Sequence, residues 1–241
     1  MNRGIDAAAS GMIANTKWLE AISSNLANSN TTGFKSEGIS FSDAMERKLR
    51  ADGGLGPEIG SIGSGAIERN RYVNWQPGNF TETGNPLDLA LRDAKTMFAI
   101  QTPQGIQYTR SGSFTLNEER LVVTREGYPV LDDQKRPIQI PPGTFRISPD
   151  GTISHENQPA GRVGVFAGEF TRVSGTLFSA NATQAADGAV ILPGALESSN
   201  VNVIENMIAM VQIGRNYEMA QKTIQQQDEL TTKLLQAMQS Q

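Results

Sequence analysis

Apolar residues recur every seventh position at the start of the chain, at Ile5, Met12, Leu19 and Leu26. Ala8, Asn15 and Ile22 lie between them at alternating steps of three and four. This is the a/d stripe of an amphipathic helix over residues 4–28. Its a positions are apolar, whereas two d positions are weak, small at Ala8 and polar at Asn15. Ala7, Ala8 and Ala9 favour helix and permit close approach of a neighbour. Asn28, Ser29, Asn30, Thr31, Thr32 and Gly33 then stop it, because Asn and Gly tolerate the left-handed conformation of a helix end.

A second stripe fills residues 200–239, with Ser198 or Ser199 as the expected N-cap. Val203, Met207, Met210, Tyr217, Ile224, Leu235 and Met238 lie along it, and Ile204, Ile208 and Val211 broaden its start. No proline follows Pro193. A helix of about 40 residues would run about 60 Å, well beyond the usual globular length. The pattern predicts a coiled coil, with the two terminal helices packed together and further helices from other subunits covering what remains.

The middle is written differently. Residues 51–66 hold six glycines and no aromatic residue, so 36–82 reads as an extended or flexible linker. Beyond it, short runs such as LDLAL, MFAIQ, IQYTR, RLVVT and RVGVF alternate with turn chemistry at Thr102–Gly105, Asn117–Glu119, Arg125–Gly127, Asp132–Gln134 and Pro149–Gly151. Their spacing predicts an antiparallel β sandwich or barrel over 83–182. A return linker, 183–196, leads back to the second helix. The expected class is α+β, with the terminal segments 1–35 and 197–241 forming one helical domain.

Composition narrows the chemistry. The 241 residues include no cysteine and a single histidine, which removes thiolate catalysis, cysteine zinc sites and any site needing two imidazoles. With 25 acidic against 21 basic residues the net charge is −4, and no basic cluster suits nucleic acid. No apolar run reaches the roughly 18 residues of a membrane span, and the N-terminus lacks the apolar block of a cleavable signal peptide. No cofactor or metal site is expected.

Three separated motifs then carry a resemblance. Asn25-Leu26-Ala27-Asn28-Ser29-Asn30-Thr31-Thr32-Gly33-Phe34-Lys35 resembles the N-terminal signature of the flagellar rod and hook protein family. Leu196-Glu197-Ser198-Ser199-Asn200-Val201-Asn202-Val203, with Arg215, Tyr217 and Glu218, resembles its C-terminal signature. Thr83–Leu91 and Tyr108–Phe114 look like its β-domain motifs. One departure is Arg92–Phe98, which stands where members usually carry Gly-x-Gly-Phe-Phe. The opening Met1–Ile5 and short length look most like the proximal rod members, with the distal rod members as runner-up. The resemblance implies a non-enzymatic structural subunit of the periplasm-spanning basal-body rod. It implies export by the flagellar type III apparatus without a cleaved signal. The partners it implies are copies of the chain and other rod proteins.

The expected assembly surface comprises the stripe residues together with Asn25, Asn28, Asn30, Gly33, Asn200, Arg215 and Glu218. The three asparagines near the first helix end either cap it locally or stitch subunits together. Arg215 and Glu218 form either a surface pair or a subunit contact. Gly33 is expected at positive φ, with alanine there doing less harm than valine. His155 is expected in a solvated loop. The competing class is a soluble β binding module or carboxylate enzyme, for which Asp132 and Asp133 are the candidates.

Overall fold

The computed structural model describes residues 3–43, 46–50, 58–63, 66–156, 158–186 and 188–239. A helix stands at each end of a mostly β central region: α1 spans Arg3–Ala27 and α2 spans Val203–Gln239. The chain divides into two units, one of Met1–Leu26, Glu37–Tyr72 and Asn202–Gln241, the other of Ala27–Ser36 and Val73–Val201.

In the first unit α2 is capped by Asn202, whose Oδ1 accepts the Glu205 amide at 3.3 Å. The expected Ser198 and Ser199 lie upstream, and the asparagine satisfies the free amide at the third helical position instead. The segment expected as a linker carries ladder pairing. Glu37–Asp43 pairs with Ala66–Val73, and Glu46–Arg50 pairs antiparallel with Glu58–Gly63. Of the glycine-rich stretch, positions 51–57, 64 and 65 lie outside the described residues.

The second unit is built on a closed four-stranded barrel in the order Val165–Ser174, Leu177–Ala185, Gly105–Thr109, Thr96–Thr102. Within it Thr96–Thr102 turns into Gly105–Thr109 through Pro103-Gln104, with Gly105 at φ +115. Met97, Phe98, Ala99 and Ile100 are all fully buried, because the strand has a core on each face. Phe98 and Ile100 join Leu89, Leu91, Phe114 and Ile140 on one side, while Met97 and Ala99 join Tyr108, Phe166 and Phe178 on the other. The period of two sorts one apolar run into two cores.

Each expected turn is a turn. The amides of Arg120, Gly127, Lys135 and Gly151 close back onto Asn117, Thr124, Asp132 and Ser148 at 2.9–3.0 Å. Three strands, Phe145–Ile147, Thr152–His155 and Gln158–Arg162, form a separate antiparallel sheet. Ile191–Pro193 pairs with Leu89–Leu91, and Ala195–Glu197 pairs with Phe80–Glu82, so 183–196 returns partly as strand. The departure at Arg92–Lys95 makes a turn that Thr96 closes by donating to the Asp93 carbonyl at 3.0 Å, and the strand after it is intact.

Candidate assembly site

Asn25 is buried at the end of α1, and its side-chain amide bonds within the chain. Its Nδ2 donates to the Glu37 carbonyl and its Oδ1 accepts the Glu37 amide, both at 2.8 Å. The side-chain amide thus imitates a strand partner and starts the ladder of Glu37–Asp43. Nδ2 also reaches Asn206 Oδ1 at 3.4 Å. Asn25→Ala would remove both of these bonds to the Glu37 backbone, at a cost of about 1–3 kcal/mol. Faster hydrogen exchange of the Glu37 amide is the expected result. Asn28 is half-buried and accepts Thr31 Oγ1 at 3.2 Å, the local cap; Asn30 is exposed.

The N- and C-terminal motifs meet in the second unit at a buried ion cluster. Lys35 Nζ lies 2.6 Å from Glu197 Oε1, and Arg110 Nε lies 2.5 Å from Glu197 Oε2; all three side chains are at most 1 % exposed. Burial pushes the Lys35 ammonium below the usual lysine range; the hydrogen bond and charge of Glu197 oppose the fall, and Arg110 adds to it. Two cations share one carboxylate. Since the folded value lies below the unfolded one, keeping Lys35 charged lowers stability at neutral pH, and that penalty fades as pH rises towards 10.5. The stability of the wild type relative to Lys35→Met should therefore rise as the pH is raised from neutral towards 10.5, read from urea midpoints.

Gly33 and Asn200 hold the same junction. Gly33 is buried at φ +67 and donates its amide to the Glu197 carbonyl at 2.7 Å. A Cβ there would sit 2.5 Å from Arg110 C and Ser111 N, so alanine as well as valine is excluded by backbone. Alanine is still expected to do less harm than valine, but that contact narrows the gap between them. Asn200 is a three-way stitch: Oδ1 accepts the Ser36 amide at 2.7 Å, and Nδ2 donates to the carbonyls of Asn74 at 2.9 Å and Gln76 at 2.8 Å. Arg172 stacks over Phe34 at 4.6 Å and Phe178 at 4.9 Å and donates to the Lys35 carbonyl. Lys35, Arg110 and Glu197 were missed as a group by sequence reasoning; the available signal was one charge inside each of three motif segments.

The helix stripes divide into covered and open positions. On α1, Ile22 is buried, Ile5, Met12 and Leu26 are half-buried, and Leu19 is exposed. On α2, Ile213 is buried, and the half-covered positions include Val203, Asn206, Met210, Ala220, Ile224 and Gln227. That line shares Val203, Met210 and Ile224 with the expected one and leaves Met207 and Tyr217 exposed together with Arg215 and Glu218. Ile204, Met207, Ile208 and Val211 are 50–69 % exposed and form one row at i, i+3, i+4 and i+7.

The remaining candidates have local duties. His155 ends a strand rather than sitting in a loop, and its Nε2 lies 3.0 Å from the Pro142 carbonyl. Asp132 Oδ1 accepts the amides of Gln134 and Arg136 at 2.9 and 2.7 Å, and Oδ2 meets the Arg136 guanidinium at 2.8 Å. Asp133 is exposed beside it. Among the described residues no group of three or more His, Asp or Glu is arranged to hold a metal, and no helix is long and apolar enough to cross a membrane.

Three family descriptions match successive parts of the chain. Residues 5–35 match the flagella basal body rod protein family, and 93–155 match the D1 domain of flagellar hook protein FlgE/F/G. Residues 192–237 match the C-terminal region of flagellar basal body rod FlgEFG proteins. The chain is 32 % identical to the flagellar basal-body rod protein FlgF of Mesorhizobium japonicum, over 90 % of each chain. It is 31 % identical to FlgG of Buchnera aphidicola (subsp. Schizaphis graminum), over 90 % of this chain and 93 % of that protein. It is 30 % identical to FlgG of Bacillus subtilis, over 98 % of each.

Proposed function

The chain belongs to the flagellar basal-body rod protein family, and from that premise we propose that it is a structural rod subunit that polymerises through its terminal helices. The observation that supports this most is the apolar row Ile204, Met207, Ile208 and Val211, half or more exposed along one face of α2. An apolar strip of this length on a helix marks an interaction surface. Helices of neighbouring copies and of other rod proteins are its cover, in a coiled-coil layer. Successive head-to-tail contacts that do not close build a filament, which suits a drive shaft.

The other expected assignments fit the same reading. The subunit works without catalysis or cofactor, is exported by the flagellar type III apparatus, and takes its place in the proximal rod. The distal rod is the alternative place. Deleting the gene in its own bacterium should abolish swimming and leave basal bodies without a complete rod in negative-stain micrographs. Complementation with the wild-type gene should restore both, and complete rods in the deletion strain would overturn the proposal.

A further inference from the structure

The cluster at Lys35, Arg110 and Glu197 draws its charges from three distant places: the N-terminal motif, the middle of the β unit and the C-terminal motif. Their bonding is unequal. Arg110 is nearly satisfied by its surroundings: Nη1 donates to the carbonyls of Asp93 and Thr96, the latter at 2.7 Å, Nη2 donates to the Leu91 carbonyl, and Nε reaches Glu197. Lys35 donates to Glu197 Oε1 at 2.6 Å and to the Gln76 carbonyl at 2.9 Å. Glu197 Oε1 also accepts the Gly78 amide at 3.0 Å.

Removing one partner therefore has consequences that depend on which one goes. Without Lys35, a neutral Arg110–Glu197 pair remains, and Oε1 keeps its bond from Gly78. Without Glu197, two buried cations face each other with no carboxylate between them, which is the costly way to break a buried cluster. Among the described residues Glu197 is the one carboxylate that both cations reach.

We propose that this cluster is a latch with a fixed order: Glu197 docks on Arg110 first, and the N-terminal motif then orders on the seat so formed. Three further bonds tie that motif to the C-terminal one. The Gly33 amide donates to the Glu197 carbonyl, the Ser36 amide to Asn200 Oδ1, and the Asn200 amide to the Phe34 carbonyl at 3.4 Å. The N-terminal motif thus depends on the C-terminal one, while the reverse dependence is weak. Displacing the Leu196–Asn200 segment removes these three bonds and the Lys35–Glu197 pair from Gly33–Ser36, leaving the bonds of Lys35 to the Gln76 carbonyl and of Arg172 to the Lys35 carbonyl.

The test is amide hydrogen exchange on the full-length protein. Gly33 and Ser36 report the N-terminal motif. Gly78 and Ser198, whose amides bond to Glu197 Oε1 and to the Asn79 carbonyl, report the C-terminal side. Lys35→Met should accelerate Gly33 and Ser36 by at least about tenfold while Gly78 and Ser198 stay within about twofold of wild type. Glu197→Gln should accelerate all four, and adding Lys35→Met to it should bring no further rise at Gly33 and Ser36. Equal acceleration of all four in Lys35→Met, or additive acceleration in the double variant, would overturn the order. Should Glu197→Gln fail to fold, Lys35→Met alone decides: sparing of Gly78 and Ser198 upholds the latch, and their joint loss refutes it.

Discussion

Gly33→Ala should lower the melting temperature by roughly 10 °C, almost as much as Gly33→Val, since ~3–5 kcal/mol is at stake. Two penalties combine there. A residue with a Cβ at φ +67 carries about 1–3 kcal/mol of backbone strain. The Cβ would also stand 2.5 Å from Arg110 C and Ser111 N and 2.6 Å from Arg110 O. Those are backbone atoms, held by an arginine whose guanidinium is anchored on four sides, so they cannot swing away as a flexible side chain would. Gly84 supplies the control. It has φ +73, but a Cβ would meet nothing within 4 Å, so Gly84→Ala should show the strain alone. Thermal melts of the two alanine variants side by side decide the matter. Equal shifts would mean that the backbone at 110–111 yields and that packing contributes nothing at Gly33.

What the chain disclosed in advance follows from how local each signal is. Turns at Thr102–Gly105, Arg125–Gly127 and Pro149–Gly151 depend on residues a few positions apart, and they stand where their chemistry put them. The positive φ of Gly33 was legible for the same reason, whereas the close approach of Arg110, 77 positions away, was not. The same distance hid the ion cluster: nothing in a motif containing Lys35 or Glu197 says that the two charges will be 2.6 Å apart.

Helical periodicity leaves a different ambiguity. Val203, Met207, Met210 and Tyr217 satisfy a heptad template, yet cover follows Val203, Met210, Ile213 and Ala220. When apolar residues spread over nearly half a helix, more than one seam fits, and sequence alone cannot rank the seams. The asparagines illustrate a third limit. An amide that can stitch subunits can equally complete a strand, and at Asn25 the backbone of Glu37 claims both of its ends.

The open seam gives the second large effect. Ile204→Ser, Ile208→Ser and Val211→Ser together should prevent polymerisation while leaving the monomer folded. In the single chain these side chains are 69, 54 and 57 % exposed, so little packing is lost when they become serine. Helix propensity differs only slightly among Ile, Val and Ser, by a few tenths of a kcal/mol. If neighbouring helices bury the row in the rod, each side chain contributes about 1–2 kcal/mol there. The triple variant then forfeits roughly 3–6 kcal/mol per subunit, a loss of at least about a hundredfold in affinity. The alternative triple at Leu19, Ile22 and Leu26 would be a poorer probe. Ile22 is only 4 % exposed in the single chain, and replacing it would cost about 2–5 kcal/mol of its own packing. Sedimentation and negative-stain microscopy of wild type and variant at matched concentrations, beside a thermal melt, separate the outcomes. An unchanged melt with no filaments places assembly on this row. Filaments at the wild-type concentration would move the assembly surface off it, to Tyr217, Met219 and Leu230, the exposed apolar side chains farther along α2.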